Sequence, residues 1–152
     1  VLLYSSPCNP SGSVYSKEEL KALAEVVANY PHVFIISDEI YEYINFTDQH
    51  ASIGAFDNVR ERTITVNGFA KGFAMTGWRL GYMGAPAWIA EACTKIQGQV
   101  TSGANSFAQR AGIVALVCAV SNHVLGSGTG TLARVFGAVA ICVFAFLFVV
   151  ML

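Results

Sequence analysis

Thr63–Tyr82, with the sequence TITVNGFAKGFAMTGWRLGY, is the stretch that decides the fold of this chain. It begins as a β-branched apolar run typical of a buried strand and continues into a glycine- and alanine-rich segment that carries Lys71. Small residues around a lysine allow a flat ligand to approach the backbone. A lysine amine just past a strand end is suited to a Schiff base with an aldehyde, although a lone lysine there is also compatible with a solvated surface residue.

Two segments upstream bring polar side chains to the ends of predicted strands. Residues 33–37 read as a buried strand that runs into Asp38, and Tyr41 follows. Ligands of open α/β sheets gather at the carboxyl ends of strands, where a carboxylate can pair with a ring nitrogen and a tyrosine with a ring oxygen. The alternative is an acidic pair that caps a helix. Earlier, residues 1–6 lead into a Pro- and Gly-rich turn in which the Asn9 amide could face the same ligand.

These three segments together resemble the class I aminotransferases, which are fold-type I pyridoxal-phosphate enzymes, over residues 1–111. Asn9–Gly12 resembles the Asn-Pro-Thr-Gly turn of that family, Ser37–Tyr41 resembles its Asp-Glu-x-Tyr motif, and Ala70–Tyr82 resembles its Schiff-base segment. The details are most similar to the bacterial aspartate and aspartate/prephenate aminotransferase branch. Two positions depart from the family pattern, with alanine instead of serine at residue 70 and serine instead of threonine at residue 11.

The resemblance implies pyridoxal 5'-phosphate as the cofactor and a role for each site residue. Lys71 would form the Schiff base and carry a proton between the substrate α-carbon and the cofactor. Asp38 would pair with the pyridine nitrogen, and Tyr41 and Asn9 would hydrogen-bond the ring 3-oxygen. Arg79 would bind the phosphate through its guanidinium fork, with a surface ion pair as the alternative. No metal site is expected.

The implied reaction is amino transfer from an L-amino acid, aspartate or glutamate, to a 2-oxo acid, catalysed by a cytoplasmic homodimer. Gln97–Gln109 resembles the segment that meets the partner subunit in the family, and it also fits a plain loop before a helix. The family's glycine-rich phosphate cup and its arginine for the substrate carboxylate have no counterpart here, so we expect this chain alone to be inactive. Another fold-type I activity, a β-lyase or decarboxylase, and a non-catalytic membrane-anchored domain are the alternatives.

Composition excludes several other classes of function. The chain has 152 residues and a net charge of −1, which gives no reason to expect a nucleic-acid partner. The cysteines have no metal-ligand spacing, and the histidines form no cluster with each other or with a cysteine.

The residue pattern predicts a three-layer α/β fragment of the large domain of the fold-type I transferase fold. Strands are predicted over residues 1–6, 33–37, 62–67 and 79–84, and helices from Ser16 to about Tyr30, from Pro86 to about Gln97, and from near Asn105. The first helix opens with a capping box in which Glu19 follows Ser16 by three positions.

The chain changes character after residue 111, so we predict a family domain over residues 1–111 and a non-family apolar tail over residues 112–152. Arg134 is the single charged residue of that tail. Residues 132–152 meet the length and composition expected of a transmembrane helix. Three explanations stay open: a frameshifted reading frame, a membrane anchor that would place the protein at a membrane, and a buried core helix.

Overall fold

The computed structural model describes residues 1–47 and 49–125. Residues Val1–Gly103 form one compact unit, and a second unit begins at Ala104.

The first unit is built on a four-stranded mixed sheet. The strands, in spatial order, are β1 (Leu2–Ser5), β2 (Ile35–Asp38), β3 (Thr63–Gly68) and β4 (Gly81–Gly84). β1, β2 and β3 run parallel, and β4 is antiparallel to β3. Ser5 is paired with Asp38, and Asp38 with Val66, so the carboxyl ends of the three parallel strands meet at one edge of the sheet.

Three of the α-helices follow the predicted order, and one, a single turn between β2 and β3, was not predicted. The helices are α1 (Lys17–Ala28), the single turn α2 (Asp57–Arg60), α3 (Ala87–Val100) and α4 (Ser106–Leu125). The predicted capping box is confirmed, because Ser16 Oγ accepts a hydrogen bond from Glu19 N at 3.2 Å and Glu19 Oε2 accepts one from Ser16 N at 2.8 Å. The α4 helix of the second unit starts after Asn105, whose side-chain oxygen accepts hydrogen bonds from the backbone N–H groups of Phe107 and Ala108.

The hydrophobic core lies between α1 and one face of the sheet. Leu20, Ile35 and Ile53 are fully buried there, and Val59 brings α2 against the same cluster. The buried residues of α1 recur at helical spacing, whereas burial alternates along β2, so each element presents one buried side to this core. The alternation sends every second side chain of β2 to the opposite face.

The opposite face of the sheet is contacted by α3. The rings of Phe34 and Trp88 are 5.8 Å apart in an edge-to-face arrangement. Because Phe34 precedes Ile35 in an extended segment, it points away from the core cluster. Helices therefore contact both faces, which agrees with the predicted α/β layering.

The predicted tail falls largely beyond the described residues. Residues 132–152 lie outside them, so the predicted helix and the three explanations for it stay predictions. Within the described residues, no helix is both long and apolar enough to cross a bilayer. The α4 helix passes through residue 111 without interruption, whereas the predicted change of domain stands at that position.

We expect Ile35→Ala to lower the free energy of unfolding by roughly 2–5 kcal/mol, because it leaves a cavity under a fully buried side chain. Val26→Ala is the matched control, since Val26 lies on the exposed side of α1 and its truncation should cost less than about 0.5 kcal/mol. Urea unfolding followed by circular dichroism measures both. Equal losses for the two variants would contradict the position of the core.

Candidate active site

Three segments leave the parallel strands at the same edge of the sheet and carry the predicted site residues. Asn9 follows β1, Asp38 ends β2 with Tyr41 in the next turn, and Lys71 follows β3. The parallel pairing therefore brings together residues that are far apart in sequence, at the edge where open α/β sheets bind ligands.

Tyr41 is the point at which these segments meet. Asn9 Nδ2 donates a hydrogen bond to the Tyr41 hydroxyl oxygen at 3.3 Å. Lys71 Nζ lies 5.4 Å from the centroid of the Tyr41 ring, within the range of a cation–π interaction. An amide, a phenol and an amine from three separate segments are therefore neighbours.

Asp38 and Arg79 are held by local hydrogen bonds at the same edge. Asp38 Oδ1 accepts a hydrogen bond from Ile40 N at 3.1 Å, which fixes the half-buried carboxylate at the end of β2. Arg79 Nη1 donates to the Thr76 carbonyl at 3.1 Å. The structure thus joins Asn9, Tyr41 and Lys71 by direct contacts and places Asp38 and Arg79 on the segments that flank them.

Lys71 lies in a loop between β3 and β4 that is closed by backbone hydrogen bonds. Phe69 N donates to the Leu80 carbonyl at 3.1 Å, and Met75 N donates to the Phe69 carbonyl at the same distance. Inside the loop, Ala74 N donates to the Lys71 carbonyl at 3.0 Å. The backbone that carries the amine is therefore fixed from both sides.

Two residues of this loop are left-handed although neither is glycine. Ala74 has φ = 53° and Arg79 has φ = 52°. Such a conformation costs of order 1–3 kcal/mol per residue and persists where the surroundings impose it, often at functional sites. The strained backbone at Arg79 identifies the loop as a candidate ligand-binding segment independently of its sequence motif.

The surroundings of Lys71 differ from the tight small-residue pocket that the sequence suggests. The Lys71 side chain is exposed, and so is that of Arg79. Lys71 emerges at the strand-end edge of the sheet, and its side chain faces solvent there. Among the described residues, Lys71 contacts the Tyr41 ring, and no carboxylate forms an ion pair with it.

Glu39, next to Asp38, is a buried residue beside the site. The sequence pattern indicated no role for it beyond capping. Its side chain is 4% exposed. Its Oε1 accepts a hydrogen bond from Ser52 Oγ at 2.6 Å and lies 2.9 Å from Ser37 Oγ. Its Oε2 lies 2.9 Å from His50 Nε2, which must donate because an ionised carboxylate only accepts.

The pattern of β2 contains the one signal that could have found this residue. Ser37 is buried on the core face, and Glu39 comes two positions later, so strand alternation points both to the same side. Tyr4 joins them, with its hydroxyl 2.9 Å from Ser37 Oγ. Burial raises the pKa of Tyr4, the hydrogen bond from Ser37 lowers it, and the charge of Glu39 raises it further.

His50 also lies 3.8 Å from Glu42, so Glu39, Glu42 and His50 bring one ligand atom each within 4.8 Å of one another. The contacts of Glu39 with His50, Ser37 and Ser52 are those of a hydrogen-bonded network.

Comparison with models of protein families identifies the family of this chain. The model of the family "Aminotransferase class I and II" matches residues 1–122. The chain belongs to this family. The match confirms the resemblance found in the motifs, and it ends beyond residue 111.

Aspartate aminotransferases are among the proteins that this chain resembles. The chain is 50% identical over 117 residues to an aspartate aminotransferase of Pinus pinaster, which covers 76% of this chain and 24% of that protein. It shares 50% identity, with the same coverage, with a bifunctional aspartate and glutamate/aspartate-prephenate aminotransferase of Petunia hybrida. The chain thus spans about a quarter of the length of these curated relatives.

Solved structures give the same result. A Thermus thermophilus aspartate aminotransferase single mutant matches with a TM-score of 0.72 and 36% identity, covering 95% of this chain and 33% of that one. An aromatic aminotransferase from Pyrococcus horikoshii matches with a TM-score of 0.68 and 47% identity, covering 71% of this chain and 29% of that one. The mixed sheet and its helices are those of the large domain of this family.

The residues at the sheet edge fit the cofactor of the family, which is pyridoxal 5'-phosphate. The cofactor has an aldehyde, a phenolic oxygen, a ring nitrogen and a phosphate. The described site offers an amine, an amide beside a phenol, a carboxylate and a guanidinium. Each polar group of the cofactor has a chemically matched partner in this set.

We expect Glu39→Gln to lower the free energy of unfolding by about 1–3 kcal/mol, because it places an amide donor against groups that already donate. Glu25→Gln is the matched control, since Glu25 is exposed on α1 and the change should cost less than about 0.5 kcal/mol. Urea unfolding measures both variants. A Glu39→Gln chain as stable as the control would show that the network contributes nothing.

Proposed function

We propose that this chain is the cofactor-binding part of a pyridoxal-phosphate-dependent aminotransferase that moves an amino group from an L-amino acid, aspartate or glutamate, to a 2-oxo acid. The observation that carries the proposal is the meeting of Asn9, Tyr41 and Lys71 at the carboxyl edge of the parallel strands. These residue types in this position are the ones that the family uses.

Lys71 would carry a proton between the substrate and the cofactor. When bound, the cofactor supplies an aldehyde that condenses with an amine and a ring that withdraws electrons from the substrate α-carbon. A lysine on a loop fixed by backbone hydrogen bonds keeps its amine in one region while its flexible stem allows the nitrogen to move. That combination suits an amine that is first bonded to the cofactor and then serves as a general acid and base.

Three further residues would orient the ring. Asn9 and Tyr41 are already hydrogen-bonded to each other, so the amide fixes the phenol before a ligand arrives. Both would bind the phenolic oxygen of the cofactor, and Asp38 would bind its ring nitrogen. Because Asp38 Oδ1 is held by Ile40 N, the carboxylate needs no large rearrangement to accept a ring N–H.

Arg79 would bind the phosphate. Its left-handed backbone and its hydrogen bond to the Thr76 carbonyl set the direction in which the side chain leaves the loop. A guanidinium can hold two phosphate oxygens at once, which lysine cannot do with the same geometry.

The names of the relatives support amino transfer over the alternatives of a β-lyase or a decarboxylase. They also support aspartate among the substrates. A homodimer, a cytoplasmic location and the inactivity of this chain by itself stay predictions, and an assay of the 152-residue chain with aspartate and 2-oxoglutarate tests the last of these.

We expect pyridoxal 5'-phosphate followed by borohydride to label Lys71 in preference to the other lysines. Lys71→Arg should lower the label on the peptide that contains residue 71 at least about tenfold, because arginine cannot form the reducible imine. Lys95→Arg is the control, since Lys95 is an exposed lysine on α3, and it should leave that label unchanged. Peptide mapping that finds the adduct on Lys17, Lys21 or Lys95 instead would contradict the assignment.

We expect Arg79→Ala to remove the preference of the chain for the phosphorylated cofactor. Half-maximal labelling of Lys71 should require about tenfold more pyridoxal 5'-phosphate in the variant and an unchanged concentration of pyridoxal, which has no phosphate. Arg60→Ala is the control, because Arg60 is exposed and pairs with Asp57 on α2. An equal loss for both probes would show that Arg79 supports the loop and does not bind phosphate.

A further inference from the structure

Tyr43 packs against the backbone next to Lys71. A Cβ atom at Gly72 would lie 2.6 Å from Tyr43 Cδ2, 2.9 Å from Tyr43 Cβ and 3.1 Å from Tyr43 Cγ. Real Cβ atoms do not approach other heavy atoms below 3.0 Å, so residue 72 must be glycine while the Tyr43 ring stays in place. Gly84, by contrast, has nothing within 4 Å of such an added atom.

The Tyr43 ring packs against aromatic rings of the loop that carries Lys71. Its centroid lies 5.5 Å from that of Phe73, and the Phe73 ring lies 5.1 Å from the Phe69 ring. Phe69 is 6% exposed and also contacts Tyr82 of β4 at 5.7 Å. Aromatic pairs at these distances contribute specific geometry in addition to buried area. The chain of rings therefore connects Tyr43 to a buried anchor.

Tyr43 belongs to the turn that carries the other site residues. Glu42 N donates to the Glu39 carbonyl at 2.9 Å, and Ile44 N donates to the Tyr41 carbonyl at 2.8 Å. These bonds fix the turn that contains both residues, so Tyr43 has a defined position relative to Tyr41. A contact between Tyr43 and Gly72 is therefore a contact between the turn that presents Tyr41 and the loop that presents Lys71.

We propose that Tyr43 is a positioning residue whose ring, seated on Gly72, sets the distance between the Lys71 amine and the Tyr41 ring. The inference rests on the proposed function, in which Lys71 is the residue that bonds the cofactor. Tyr43 would contact neither substrate nor cofactor. It acts on the backbone of residue 72, and its effect reaches the amine through the neighbouring residue.

The test uses the 152-residue chain and compares labelled lysines within each variant. Pyridoxal 5'-phosphate at low occupancy is reduced with borohydride, and the label on Lys71 is divided by the summed label on Lys17, Lys21 and Lys95. A general loss of stability changes all four lysines together. A loss of position at residue 71 changes the ratio.

We expect Tyr43→Ala and Gly72→Ala each to lower this ratio at least about fivefold, because one removes the ring and the other displaces it. Tyr43→Phe keeps the ring and should stay within about twofold of the wild type. The combination Gly72→Ala with Tyr43→Ala should lose no more than the worse single variant, since the added methyl group then has no ring to displace. If Gly72→Ala fails to fold, Tyr43→Leu replaces it as the second variant, because leucine keeps apolar bulk without a flat ring.

Two matched controls separate this contact from general effects of the same substitutions. Gly84→Ala adds a methyl group in open space, and Tyr30→Ala removes a tyrosine of similar exposure away from the site. Both should leave the ratio unchanged. A wild-type chain without preference for Lys71 would overturn the proposed function together with this inference. A wild-type preference that survives in Tyr43→Ala, or losses that multiply in the double variant, would overturn the inference alone.

Discussion

The parallel pairing of β1, β2 and β3 is the constraint on which the rest of the structure depends. The register places Ser5 beside Asp38 and Asp38 beside Val66, so β1 and β2 end at the same level and β3 continues to Gly68 at the same edge. Side chains alternate along a strand, and a shift of one residue would exchange the two faces. Ser37 would then leave the core and Asp38 would enter it. The position of the candidate site is therefore a consequence of the register as much as of the residues that form it.

The alternation within β2 separates two kinds of polar residue. Ser37 and Glu39 turn toward the core side, where they share a buried hydrogen-bond network with His50 and Ser52. Asp38 lies between them in sequence and is left at the edge of the sheet. A buried carboxylate is tolerable only if its oxygens are satisfied. Among the described residues, no buried side-chain nitrogen or oxygen lacks a hydrogen-bond partner.

The sequence predicted the strands of the sheet and the helices α1, α3 and α4 because each of these carries a local signal, whereas the single turn α2 was not predicted. The capping box at Ser16 marked the start of α1, and the apolar runs before Asp38 and after Arg62 marked β2 and β3. The Gly- and Ala-rich segment around Lys71 identified the loop that follows β3. These signals depend on neighbours within a few residues, which a single sequence displays.

The contacts between segments could not be predicted in the same way. The direction of β4 depends on how the Lys71 loop closes, and the short apolar run of β4 is compatible with either direction. His50 reaches Glu39, and Tyr43 reaches Gly72, across loops that have no periodicity. The exposure of Lys71 likewise depends on which segments pack around the loop. Tertiary position decides each of these features, and the motifs alone identify only the residue types.

The Lys71 loop shows how the fold can maintain a strained backbone. Left-handed Ala74 and Arg79 together cost about 2–6 kcal/mol, on the scale of 1–3 kcal/mol per residue. Backbone hydrogen bonds from Phe69 to Leu80 and from Met75 to Phe69 close the loop at both ends, and Thr76 Oγ1 donates to the Ala70 carbonyl at 2.9 Å. Each net hydrogen bond contributes roughly 0.5–1.5 kcal/mol, so these three contribute about 1.5–4.5 kcal/mol, which is of the same order as the strain. The loop can therefore hold Lys71 and Arg79 in place before any ligand binds, which reduces the ordering that binding would otherwise require.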